Sequence, residues 1–202
     1  MKKIDYKREL GPLYKASPKK PELIAVPDMN FLMVDGKGSP ESPGFSAAVE
    51  ALFALAYALK FRVKKGGGEI DYGVMPLEGL WWADDYSVFI TGDKKRWMWT
   101  VMIMQPDLID HALVEEMTDE VAAKKNPEAL SKVRFHSYTE GLAAQITHIG
   151  PFSEEGPTIE GLHDFIRESG HELNGKPHEI YLSDTRRAAP ERWKTIIRQP
   201  VS

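Results

Sequence analysis

Cysteine is absent from the 202 residues, and that single gap excludes a disulfide framework, a thiolate metal site and a cysteine nucleophile together. It fits a reducing compartment. No excess of positive charge is present either: 26 Lys and Arg face 30 Asp and Glu, for a net charge of −4, and both signs are scattered along the chain. Such a chain offers no basic footprint to a phosphate backbone, so a nucleic-acid partner is not expected. Long hydrophobic runs are missing as well. The greasiest stretch, Ala47–Leu59, is interrupted by Glu50 and is too short to span a bilayer, and the charged start Met1-Lys2-Lys3-Ile4-Asp5 lacks the apolar core of a secretory signal. The expectation is a soluble, cytoplasmic protein with no membrane contact. An apolar fraction of 42% is ample for one generous domain, or for two small ones that share a core.

Several familiar chemistries are also missing. Six histidines occur, at 111, 136, 148, 163, 171 and 178, but only His111 and Glu115 have helical i, i+4 spacing and no further ligand set accompanies them, so no metal is expected. Gly44-Phe45-Ser46-Ala47-Ala48 lacks the second glycine of a serine-hydrolase elbow. Gly36-Lys37-Gly38 and Gly66-Gly67-Gly68 do not continue into a phosphate-binding pattern and read as turns. No cofactor is expected.

What the chain does contain is a weak internal echo. An apolar strand, Asn30–Gly36, is followed by the loop Ser39–Gly44 and by a helix from Phe45 to Lys60, whose apolar positions Phe45, Ala48, Val49, Leu52, Phe53, Ala56 and Leu59 keep i, i+3, i+4 spacing. Strands are predicted near 70–82 and 96–104. The pattern runs again from the strand Ala143–Gly150 through a thinner helix over Thr158–Glu168, with Ile159, Leu162, Phe165 and Ile166 inward, to strands near 178–183 and 193–198. This is an α+β fold in which duplicated βαββ modules form a pseudo-two-fold antiparallel sheet with helices and a central ligand cleft. Residues 1–22, rich in Lys and Pro, read as an extended arm. The domain then covers 23–202, as a first module over 23–105, a helical insert over 106–136 and a second module over 137–202. The insert carries apolar residues at helical spacing from Leu108 to Val121, with Asp107 or Asp110 as its cap, and is expected to lie over the open face of the cleft.

Aromatic residues dominate the candidate site. In the strand near 96–104, alternation puts Trp97, Trp99, Val101 and Ile103 on one face and Met98, Thr100 and Met102 on the other, so both faces should be covered. Trp81 and Trp82 are adjacent and must point to opposite faces; one of them should reach the cleft, and the sequence leaves open which. In the second copy, Ile180 and Leu182 are assigned to the helix side, while Glu179, Tyr181 and Ser183 share the other face. Tyr72 is taken as the pseudo-symmetry mate of Tyr181. A carboxylate, two phenols and several indoles around one concavity suit a flat, lipophilic or cationic ligand.

Two blocks then carry a family resemblance: Asp71-Tyr72-Gly73-Val74-Met75-Pro76-Leu77-Glu78-Gly79-Leu80-Trp81-Trp82, and His178-Glu179-Ile180-Tyr181-Leu182-Ser183-Asp184 with the ending Ile197-Arg198-Gln199-Pro200-Val201. From about Leu23 to Val201 the chain resembles the stand-alone branch of the GyrI-like small-molecule-binding domain proteins. The resemblance implies an aromatic cavity around one functional glutamate. Carried over by position, Glu179 is that carboxylate and Tyr181 its catalytic companion, while Tyr72, Glu78, Trp81, Trp82, Trp97, Trp99 and Tyr181 bind the ligand. Some stand-alone members are similar to enzymes that hydrolyse the cyclopropane ring of DNA-alkylating natural products, which implies detoxification and drug resistance. The alternative is a non-catalytic protein that sequesters or senses lipophilic cations. A lipophilic aromatic small molecule is the partner implied, and no protein partner is expected, because the stripe at Leu108–Val121 is explained by packing within its own domain.

Overall fold

A computed structural model describes residues 2–67, 70–85 and 87–202. Its elements run in chain order β1 (Lys2–Ile4), α1 (Tyr6–Glu9), β2 (Glu22–Val26), β3 (Met29–Lys37), α2 (Pro43–Lys65), β4 (Ile70–Tyr72), β5 (Leu77–Trp82), α3 (Ser87–Thr91), β6 (Met98–Gln105), α4 (His111–Lys124), β7 (Arg134–Tyr138), β8 (Gly141–Ile149), α5 (Gly156–Glu168), β9 (His178–Tyr181) and β10 (Lys194–Pro200). They fall into two units. The first holds the N-terminal residues as far as Glu9 together with Met29–Tyr138, and the second holds Leu10–Asp28 and Thr139–Ser202. Both have the α+β, βαββ character that the internal echo implies.

In the first unit four strands pair antiparallel in the order β5-β6-β3-β7, and a separate parallel pair joins β1 to β4. Helix α2 covers one face of the sheet. It starts where the Ser42 side chain accepts from the Phe45 N–H at 3.3 Å with Pro43 in the first turn, and it ends at Gly66 after a basic last turn. Past Lys60 the helix runs on through Lys64 and Lys65 to the expected glycine turn, of which Gly68 lies outside the described residues. Its length would reach across a bilayer, but Ala48, Ala51, Leu52, Leu55, Ala56 and Leu59 are buried within this unit, and its last turn carries Arg62, Lys64 and Lys65. With Leu32, Val34, Val101 and Ile103 on the same face of the sheet they make a core in which each large side chain contributes about 1.5–3 kcal/mol. The helix of the insert, α4, is capped by Asp110, which accepts from the Leu113 N–H at 2.8 Å. It packs along α2 rather than over a cleft, with Arg62 donating to Glu116 at 2.9 Å.

The second unit repeats the plan with the order β2-β8-β10-β9, again antiparallel. Leu162 and Ile166 of α5 pack on Ala144, Ile197 and Val201, with Ile146, Ile159 and Phe165 around them, so the four inward residues predicted for this helix are the ones that pack. The edge strands are exchanged between repeats: β2, which precedes the first copy in sequence, pairs with β8, whereas β7, which precedes the second copy, pairs with β3. Beneath the sheet of the second unit lies a buried ionic knot. Arg198, 1% exposed, donates to Glu140 at 3.1 Å, to Gln145 at 2.9 Å and to the Leu13 carbonyl, and His178 Nδ1 lies 2.9 Å from Glu140. Burial alone would raise the Glu140 carboxyl, but His178 and Arg198 beside it outweigh burial and hold it below the ordinary carboxylate value.

Candidate functional site

The two units can be aligned residue by residue from their hydrogen bonds. In the first, the Gly38 N–H donates to the Trp97 carbonyl at 2.8 Å; in the second, the Gly150 N–H donates to the Trp193 carbonyl at 3.0 Å. Both tryptophans follow a 3-10 turn, and each indole N–H is spent on a nearby carbonyl, Val88 for Trp97 and Ala188 for Trp193. Counting along the ladders from these anchors makes Gly36 equivalent to His148, Trp99 to Thr195, Trp81 to Tyr181 and Gly79 to Glu179. Trp81, not Tyr72, is therefore the mate of Tyr181. Tyr72 sits on β4 in the separate two-stranded sheet, buried edge-on against Tyr6, and burial pushes its phenol up.

In the first unit this location is filled with aromatic carbon. Trp81 stacks on Phe45 of α2 at 5.9 Å, Trp99 meets the same ring edge-on at 5.1 Å, and Trp97 closes on Trp81 at 5.9 Å and on Phe89 at 5.0 Å. Trp99 lies so close over Gly36 that an added Cβ would come within 2.1 Å of its ring. Trp81 and Trp99 thus face α2, while the alternation of β5 sends the half-buried Trp82 and the buried Glu78 to the opposite face. The choice left open between Trp81 and Trp82 is resolved to this extent.

In the second unit the same location is polar. Cross-strand partners share a face, and Glu179 stands opposite Ile197, which packs on Leu162 and Ile166 of α5. Glu179 and Tyr181 therefore lie on the helix side, the reverse of the expected assignment. The physical reason is that both faces are covered: Arg198 and Thr147 on the other face bond to the Leu13 and Ala16 carbonyls, so apolar alternation cannot tell one face from the other.

Four groups converge there. The Tyr181 hydroxyl donates to Glu179 Oε2 at 2.7 Å, and both side chains are half-buried. Glu155, immediately before α5 and only 6% exposed, is hydrogen-bonded to Glu179 and lies against Thr195. Burial first, and the negative charge of Glu179 second, push the Glu155 carboxyl up to about 9 despite the opposing contact with Thr195. The helix N-terminus would favour an anion by about 0.3–1 kcal/mol, which is too little to reverse those two effects. Glu155 Oε1 and Thr195 Oγ1 are buried without hydrogen-bond partners. Phe152 meets Tyr181 edge-on at 5.7 Å and lies 5.0 Å from Trp193, giving the polar groups an aromatic wall. At the position of Phe45, Thr158 Oγ1 bonds to His148 Nδ1 at 2.9 Å.

Of the residues expected from sequence, Glu179 and Tyr181 are brought together here, whereas Trp81, Trp97 and Trp99 form their cluster within the first unit. Glu155, Phe152, Thr195 and Trp193 were missed as site residues. Their signals were faint. A glutamate is a poor residue before a helix compared with Ser42 at the matching place, and Thr195 replaces a tryptophan only once the strands are in register.

Comparison with known proteins gives the family. Residues 19–202 match the GyrI-like small molecule binding domain, and the chain belongs to that family. It is similar over 98% of its length, and all of the other's, to an uncharacterized conserved protein from Listeria innocua, with 41% identity and a TM-score of 0.92. A hydrolase from the same organism is 40% identical over 98% of this chain and all of its own, with a TM-score of 0.86. A hydrolase encoded by lin2189, also from Listeria innocua, is 43% identical over the whole of both chains, with a TM-score of 0.88. No protein of curated function matches the chain.

Proposed function

We propose that this protein hydrolyses flat, strained electrophiles in which a cyclopropane is joined to a dienone, the reactive group of certain DNA-alkylating compounds. The observation that carries the reading is the half-buried Glu179 carboxylate, held by the Tyr181 hydroxyl at 2.7 Å and walled by Phe152 and Trp193. The hydrolases from Listeria innocua that it resembles at 40% and 43% identity support a hydrolytic activity. A planar substrate stacks against the aromatic wall. Glu179 takes a proton from water, and the water oxygen bonds to the cyclopropane carbon. The breaking C–C bond sends its electron pair into the dienone, which becomes a phenolate and then a phenol as a proton reaches its oxygen. The sum is addition of one water. Ring strain and the aromaticity gained drive the opening, so a positioned base is the main requirement. Tyr181 is spent on Glu179, and its first task is to fix the orientation of the base.

A second reading keeps the site and removes the chemistry. An ionised Glu179 beside three aromatic rings is also suited to a lipophilic cation. One experiment separates the two. Purified protein is incubated with a spiro-cyclopropyl dienone, the dienone absorbance is followed, and the product is weighed by mass spectrometry, with Glu179→Gln as control. A water adduct formed by the wild type and lost in the variant supports the hydrolase. Compound recovered intact, with saturable tryptophan quenching, supports binding alone and a role in sequestration. Either activity would protect cytoplasmic targets from such compounds.

A further inference from the structure

We infer that Glu155 and Glu179 work as one acid–base pair that shares a single proton, with Glu155 holding it, and that loss of this proton sets an alkaline limit to the site. Its catalytic consequence rests on the hydrolase reading; the pair itself does not. Two carboxyl groups in hydrogen-bond contact cannot both ionise without strong repulsion, and only Glu179 has other support for its charge, the Tyr181 hydroxyl. Glu155 is almost wholly buried, and its Oε1 has no partner, so its bond to Glu179 runs from the other oxygen. A protonated Glu155 donates that bond and a carboxylate cannot. The same position in the first repeat, Ser42 before α2, has no second acid to face, because Gly79 stands where Glu179 does.

The groups that face Glu155 can be named element by element. From β9 come Glu179 and Tyr181; from β10, Thr195, with Lys194 exposed on the neighbouring position; from β8, His148, held by Thr158 Oγ1 and the Pro151 carbonyl; and from its own turn, Glu154. What sets the Glu155 carboxyl is burial, Glu179 and Thr195, and none of these is a cation. The shared proton therefore tempers the basicity of Glu179 and fixes one of its oxygens, leaving lone pairs for water. Once Glu155 ionises, Glu179 keeps the Tyr181 hydroxyl but loses its second donor and gains a like charge, and the pair separates.

The test is infrared spectroscopy of the full chain over pH, with turnover measured in parallel. The wild type should show a protonated-carboxyl C=O band at neutral pH that disappears with a midpoint near the value of about 9 set by burial and Glu179. Glu155→Gln should lack the band. Glu179→Gln should keep it at acid pH but lose it at a midpoint lowered by at least about one pH unit, a tenfold change in proton affinity. Turnover by the wild type should fall on the alkaline side across the same range, and in Glu155→Gln that limb should vanish, whatever the height of the plateau. A wild type without the band at neutral pH, a band that persists in Glu155→Gln, or a midpoint unmoved in Glu179→Gln would each overturn the pair. If Glu155→Gln does not fold, the Glu179→Gln midpoint still decides. Should Glu179→Gln turn over normally while the bands behave as expected, the hydrolase reading fails and the proton-sharing pair stands.

Discussion

The same backbone plan is packed in two different ways in this chain. Where the first repeat puts Trp99, Trp81 and Gly79 under its helix, the second puts Thr195, Tyr181 and Glu179, and where Trp99 covers Gly36, the second repeat has His148 bonded to Thr158. One location is filled with aromatic rings, and the other sets a carboxyl pushed far above its ordinary range beside a second carboxylate. Two buried acids side by side cost stability, and the first repeat has Gly79 where the second has Glu179. The contrast marks the second repeat as the place to look for the proposed chemistry. The first repeat serves as its internal control.

The largest effect expected from breaking this contrast is on turnover. Glu179→Gln keeps the shape and removes the base, so the rate of ring opening should fall by about 10²–10⁴-fold, the usual worth of a positioned acid or base. Far-ultraviolet circular dichroism should be unchanged. A rate within a few-fold of the wild type would end the claim that this carboxylate does the chemistry. Next comes the ionic knot under the second sheet. Glu140→Ala leaves Arg198 and His178 buried without their anion and should cost about 3–5 kcal/mol in urea unfolding at neutral pH. Because the Glu140 carboxyl lies below its ordinary value, its contribution is present at pH values above the unfolded carboxylate range and is lost as pH falls through its own lower value. The gap between wild type and variant should therefore close in acid.

Stability should divide the matched positions in the opposite sense. Trp99→Ala removes a 2%-exposed ring from contact with Phe45 and should cost about 3–5 kcal/mol. Thr195→Ala removes a single hydroxyl beside Glu155 and should cost less than about 1 kcal/mol. Equal costs at the two positions would show that the second repeat is simply another core. Gly36→Ala gives a finer test, since the new methyl would sit 2.1 Å from the Trp99 ring and should cost about 1–3 kcal/mol, most of it recovered when Trp99 is also made smaller.

The duplication was legible because helix and strand periods are local: the inward residues of α5 and the bracket from Ser42 to Gly66 around α2 follow from spacing, caps and breakers alone. The exchange of β2 and β7 between repeats was not, since edge pairing depends on how distant strands meet and neither segment carries a mark of its partner. The site was half legible. Glu179 and Tyr181 share a face whichever way β9 turns, so their union needed only the period of two, but which face they occupy needed the register with Ile197. Glu155 is 24 residues from Glu179 in sequence and is brought to it only by the return of the chain from β8 into α5.

The effect most specific to the second repeat depends on pH. The Glu155 carboxyl is raised from an ordinary value of 4.5 to about 9, by burial first and by Glu179 second. Below 4.5 folded and unfolded chains both hold this proton, and the group makes no difference to the pH dependence of folding. Between 4.5 and about 9 the folded chain keeps a proton that the unfolded chain releases, so the wild type loses stability steadily as pH rises through that window. Glu155→Gln cannot ionise and has no such slope. Its thermal midpoint, measured against that of the wild type, should show little relative change below the window and should climb steadily across it. Ser42→Ala at the matching cap of the first repeat should shift the midpoint by an amount that does not vary with pH, since a serine hydroxyl has nothing to titrate. A difference curve for Glu155→Gln that was equally flat would mean that the proton held between Glu155 and Glu179 is not there.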